Sequence, residues 1–196
     1  MNDFSLWFTT GLAHIADWKA YDHILFLLAL CGVYEWGQWK NLLVLVTAFT
    51  VGHSITLALS VTDLIHPNTD WVEFLIPVTI LATCVYNLRR VDLPPDTDFR
   101  TNYFLALFFG LVHGMGFSFL LRSLLGPETD IAVPLLAFNL GLEAGQVLIV
   151  TGVLLISLLL TAVFSLRRRN RNFFISSAVF GIACMMALER LPILFG

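Results

Sequence analysis

The chain has 196 residues, of which 58% are hydrophobic and only 13% charged, with a mean hydropathy of +0.82. A soluble domain carries about 25% charged residues, so the composition excludes an ordinary water-soluble fold. The length fits one domain spanning residues 1–196, and the net charge of −3 says little about partners.

The first apolar stretch, 4–16, suits an interfacial or re-entrant segment better than a membrane span. The start of the chain, Met1-Asn2-Asp3-Phe4, lacks the basic region of a signal peptide. Longer apolar runs follow at 22–36, 41–61, 72–88, 102–121, 133–166 and 173–195. Most reach the roughly 20 residues that cross a ~30 Å hydrocarbon core. The expected fold is therefore all-α: a polytopic transmembrane bundle of about six helices plus the N-terminal segment. There is no internal repeat and no second domain.

Charge orients the bundle. Lys40, Arg89, Arg90, Arg100, Arg167, Arg168, Arg169 and Arg171 are eight of the eleven basic residues, and all lie on alternate connections. The opposite connections carry Asp63, Asp70, Glu73, Glu128 and Asp130. The positive-inside rule then puts both termini outside and the Arg-rich connections in the cytoplasm. Trp7, Trp18, Trp36, Trp39 and Trp71 fall at expected span ends, where amphipathic rings belong. Pro94, Pro95, Asp92, Asp96 and Asp98 mark a solvated loop, and the run 167–171 anchors the cytoplasmic interface. The lipid bilayer is the expected surrounding; nucleic acid is not an expected partner, and homo-oligomerisation is left open.

Cys31, Cys84 and Cys184 sit singly inside apolar runs, so neither a disulfide framework nor a CxxC zinc site is present. Ionisable residues inside spans are costly and point to function. Here they are His14, Asp22, His23, His53, His113 and Glu143, with Thr50, Ser54, Asn139 and Gln146 beside them. His53 lies about 18 Å up its helix and His113 about 16 Å up, while Glu143 lies about 15 Å down from the other side. All therefore share the middle and outer layers. Asn139, Glu143 and Gln146 form one stripe on their helix. Gly110/Gly114 and Gly141/Gly145 are small-xxx-small pairs that allow close helix approach. Imidazole with carboxylate suits a divalent transition metal, without choosing among zinc, nickel, cobalt and iron. Each residue also has a plain structural reading: Asp22 as a helix cap, the histidines and Glu143 as hydrogen-bonded core groups.

At these positions the chain resembles the HupE/UreJ family of small bacterial membrane proteins linked to hydrogenase and urease maturation. The stretches that carry the resemblance are Gly11-Leu-Ala-His14, Tyr21-Asp22-His23-Ile-Leu-Phe-Leu, Phe49-Thr-Val-Gly-His53-Ser-Ile-Thr-Leu, Phe109-Gly-Leu-Val-His113-Gly-Met-Gly-Phe and Phe138-Asn-Leu-Gly-Leu-Glu143-Ala-Gly-Gln146. The resemblance implies a multi-pass protein of the bacterial inner membrane that handles a transition metal, usually by nickel or cobalt permeation.

Two functions remain open. In a permease, His14, Asp22, His23, His53, His113 and Glu143 capture a divalent ion from outside and pass it inward. The inner half offers only neutral side chains such as Thr47, Asn87, Ser157 and Thr161 for an exit. In an intramembrane zinc hydrolase, three histidines hold the metal and Glu143 or Asp22 acts as general base. That second pattern is similar to the three-His-plus-Asp set of ceramidase-like membrane hydrolases.

Overall fold

The computed structural model describes residues 3–18, 21–94, 97, 99–125 and 131–194. In chain order its helices are α1 (Asp3–Ala16), α2 (Asp22–Val33), α3 (Trp39–Val61), α4 (Thr69–Arg89), α5 (Phe99–Leu125), α6 (Ala132–Phe164) and α7 (Arg168–Arg190). Short 3-10 helices lie at Trp36–Gln38 and Leu191–Leu194. No strand occurs among the described residues, as the all-α reading expects. Pro95, Asp96, Asp98, Glu128 and Asp130, which the loop assignments used, lie outside the described residues, as do Met1 and Asn2.

Among the described residues, four helical stretches are long and apolar enough to cross a membrane: Trp36–Val61, Thr69–Arg89, Ala132–Phe164 and Arg168–Arg190. Helices satisfy their own backbone polar groups, which is why long apolar sequences adopt them in lipid. In α6 only 17% of the apolar window is buried, so most of that helix faces outward. By contrast α2 has 12 residues, about 18 Å of helix, too short to cross the core alone.

Contacts fix the relative directions of the helices. On α5, Gly110 sits on the Phe49 carbonyl and Gly114 on the His53 carbonyl, so α3 and α5 advance together. A Cβ at either glycine would collide with those oxygens. On α6, Gly141 meets the Phe8 carbonyl and Gly145 the Leu12 carbonyl, so α1 and α6 are also parallel. The pairs Thr50–Gln146 and His53–Asn139 make α3 and α6 antiparallel. His23–His113, Phe26–Phe109 and Tyr34–Asn102 make α2 and α5 antiparallel. Asn87–Asn172 and Glu73–Arg190 do the same for α4 and α7.

It follows that α1 and α2 run in the same sense, and both oppose α3 and α5. The 4–16 segment lies lengthwise on α6, with one face packed and the other exposed. The physical reason is backbone contact through glycine, together with the absence of a charged face. The Thr9 and Thr10 hydroxyls donate to the Leu6 carbonyl within the helix.

One difference concerns the basic run. It is not a loop: Arg168, Arg169 and Arg171 belong to the first turns of α7. Cations at a helix N-terminus oppose the macrodipole, so their placement needs other partners. Arg171 donates to the Tyr34 carbonyl (2.8 Å) and Arg168 to the Leu93 carbonyl (2.8 Å), while Arg169 pairs with Asp92.

Candidate metal centre

Asp22 and His23 open α2. The Asp22 carboxylate accepts the His23 backbone N–H at 2.8 Å, and a carboxylate in a first turn suits the helix dipole. Its Oδ1 also lies 3.0 Å from His23 Nδ1, and its Oδ2 lies 4.0 Å from His113 Nε2 on α5. One donor atom from each of Asp22, His23 and His113 lies within 4.8 Å of the other two. Ligand atoms at 2.0–2.2 Å from one ion stand roughly 3–3.5 Å apart, so a small side-chain movement would let the three share it.

His14, near the end of α1, brings its ring within 4.8 Å of the His23 ring and 6.3 Å of the His53 ring. The His23 and His113 rings are 4.5 Å apart. His53 is fully buried on α3, and its Nδ1 is 3.3 Å from Asn139 Oδ1. The decisive detail is the opposite edge of these rings. Nε2 of His14, His23, His53 and His113 is buried and makes no hydrogen bond within the protein. Buried polar atoms are nearly always satisfied; the unsatisfied nitrogens of His23 and His113 beside the Asp22 carboxylate form a donor set that fits a divalent transition metal, with the His14 and His53 rings next to it.

A family model described as HupE / UreJ protein matches residues 1–190. The chain belongs to the HupE/UreJ family. That family is linked to metal handling, and the Asp22–His23–His113 group fits such a role. No curated protein and no solved structure matches the chain.

In this HupE/UreJ protein the remaining polar residues form a second tier. The Thr47 hydroxyl donates to Glu143 Oε1 at 2.6 Å, and the Thr50 hydroxyl donates to Gln146 Oε1 at 3.0 Å. Ser54 donates to the Thr50 carbonyl, and Asn139 donates to the Leu135 carbonyl. Glu143 thus lies against α3 and is outside the three-residue donor group.

Other residues around the site were not singled out from the sequence. Phe26, Phe49 and Phe109 each lie about one turn from His23, His53 and His113, toward the Arg-rich end. Phe26 and Phe109 stack at 3.7 Å, and Phe109 stacks under His113 at 4.0 Å. The i±3 and i±4 spacing from each histidine was a usable signal for them. Away from this layer, a cavity of about 200 Å³ adjoins His14, Asp22, His23 and His113, with Glu73 and Arg190 also on its wall. Those two come from the ends of α4 and α7, and nothing local in the sequence links them to the histidines.

Proposed function

We propose that this protein is a permease for a divalent transition metal ion of the nickel or cobalt type. The ion is its substrate, held by Asp22, His23 and His113 with His14 and His53 beside them. The observation that carries the reading is the convergence of unsatisfied histidine nitrogens on a carboxylate at the break between two short helices. Discontinuous helices whose ends face a buried ion site are a recurrent device of transporters.

In this reading α1 and α2 form one interrupted passage, and α3 to α7 supply five more, giving six crossings of the bacterial inner membrane. Both termini then face outward and the Arg-rich ends face the cytoplasm, as the distribution of basic residues requires. The cavity beside Asp22 admits the ion from outside. Imidazole and carboxylate replace part of its water shell. The Phe26–Phe49–Phe109 layer closes the way inward, so passage requires these rings to part.

The cavity of about 200 Å³ beside the cluster also favours a second reading, an intramembrane zinc hydrolase with Asp22 as base. Uptake separates the two. Sealed proteoliposomes containing an indicator dye should accumulate nickel or cobalt with the wild-type protein and not with His113→Ala. Metal that binds to purified protein without ever entering the vesicles would sink the permease reading.

A further inference from the structure

Helices α6 and α7 are joined by only three residues, 165–167, with Ser165 in the left-handed region at φ 52°. They nevertheless splay apart at the Arg-rich end and leave a cavity of about 580 Å³ between them and α2. Its wall is almost wholly apolar, with Leu28, Val153, Ile156, Leu160 and Phe174 among the lining residues. The volume falls within the ~300–1,000 Å³ range typical of ligand pockets. One charged side chain lines it, Arg171.

Arg171 is only 4% exposed. Its Nη2 donates to the Tyr34 carbonyl at 2.8 Å, but its Nε is buried without a hydrogen-bond acceptor. Among the described residues it makes no ion pair. Glu35 attracts it and Arg168 repels it from a distance. The Arg168 Nη1 atom is likewise buried and unsatisfied. A guanidinium so placed calls for an anionic acceptor, and its fork geometry matches a phosphate. The site is therefore amphipathic in one direction: a cationic rim at one end and a chain-sized apolar slot behind it.

We propose that the α2–α6–α7 cavity binds one anionic phospholipid, its phosphate on Arg171 and one acyl chain between α6 and α7. The chain covers the inner faces of Val153, Ile156 and Phe174, which the splayed helices cannot cover for each other. This site is separate from the histidine cluster and does not depend on whether the protein transports its metal.

The test is native mass spectrometry of the full-length protein in detergent, titrated with phosphatidylglycerol or phosphatidylcholine of identical acyl chains. Wild type should retain phosphatidylglycerol with roughly fivefold preference, the weight of about one basic residue on an anionic lipid. Arg171→Gln should abolish the preference, Arg171→Lys should keep most of it, and Arg169→Gln, which removes the partner of Asp92, should leave it unchanged. Leu160→Trp fills the slot without touching the charge and should lower retention of both lipids, which decides the matter even if Arg171→Gln does not fold. Inorganic phosphate at equal concentration should not displace the lipid. Equal retention of the two lipids by wild type, undiminished binding in Leu160→Trp, or displacement by phosphate alone would overturn the proposal.

Discussion

His113 Nε2 faces Asp22 Oδ2 at 4.0 Å, joining the middle of α5 to the first turn of α2 across the break that separates α2 from α1. Both side chains are buried, and His113 Nε2 makes no hydrogen bond. The pair ties α2 to α5 within the candidate site, so its loss should weaken the site directly.

Asp22→Asn keeps the shape and removes the charge, and His113→Ala removes a donor nitrogen. Each should weaken nickel or cobalt binding by more than the ~10–100-fold expected of an outer-shell partner. Equilibrium dialysis of the purified protein measures it. Glu143→Gln, by contrast, should bind within a few-fold of wild type, because Glu143 is held by Thr47 outside the donor group. A large loss in that variant would move Glu143 into the ligand shell.

Binding should depend on pH in a definite direction. The ion needs neutral imidazole and ionised carboxylate, so protons compete with it at every ligand. Affinity should therefore fall as the medium is acidified. Calorimetry in buffers of different ionisation enthalpy reads the number of protons displaced. An affinity that rose as the medium was acidified would count against imidazole and carboxylate ligands.

Two glycine substitutions should diverge. Gly110→Ala drives a methyl into the Phe49 carbonyl and must push α3 from α5, at a cost of about 1–3 kcal/mol for an overpacked contact. Because His53 and His113 ride on these helices, metal affinity should drop as well. Gly181→Ala on α7 meets nothing within 4 Å and should be neutral, or stabilising by about 0.5–1 kcal/mol from backbone entropy. Thermal melting in one detergent compares them. Equal behaviour of the two variants would mean that the α3–α5 contact is looser than described.

Orientation can be read by cysteine labelling in intact cells and inverted vesicles. With Cys31, Cys84 and Cys184 replaced by serine, Arg169→Cys should react only from the cytoplasmic side. His66→Cys, in the connection between α3 and α4, should react only from outside. Labelling of position 169 from outside would reverse the proposed entry and exit sides.

The sequence by itself determined the helical class, the apolar runs and the alternation of basic connections, because membrane burial acts on each segment independently and leaves a local signature. It also marked His14, Asp22, His23, His53 and His113 as candidates, since an ionisable side chain in an apolar run stands out without knowledge of its neighbours. Which of them meet was a different matter. Only the tertiary structure put Asp22, His23 and His113 within reach of one another and left Glu143 with Thr47. That choice depends on helix rotation and register, which the glycine contacts of α1 on α6 and α3 on α5 fix between segments distant in sequence. The same holds for α1: its 14 residues fit an interfacial helix as well as one packed along the bundle, and the backbone contact through Gly141 lays it along α6. Glu73, Arg190 and the cavity beside Arg171 arise where the ends of separate helices meet, and no periodicity within one segment carries that information.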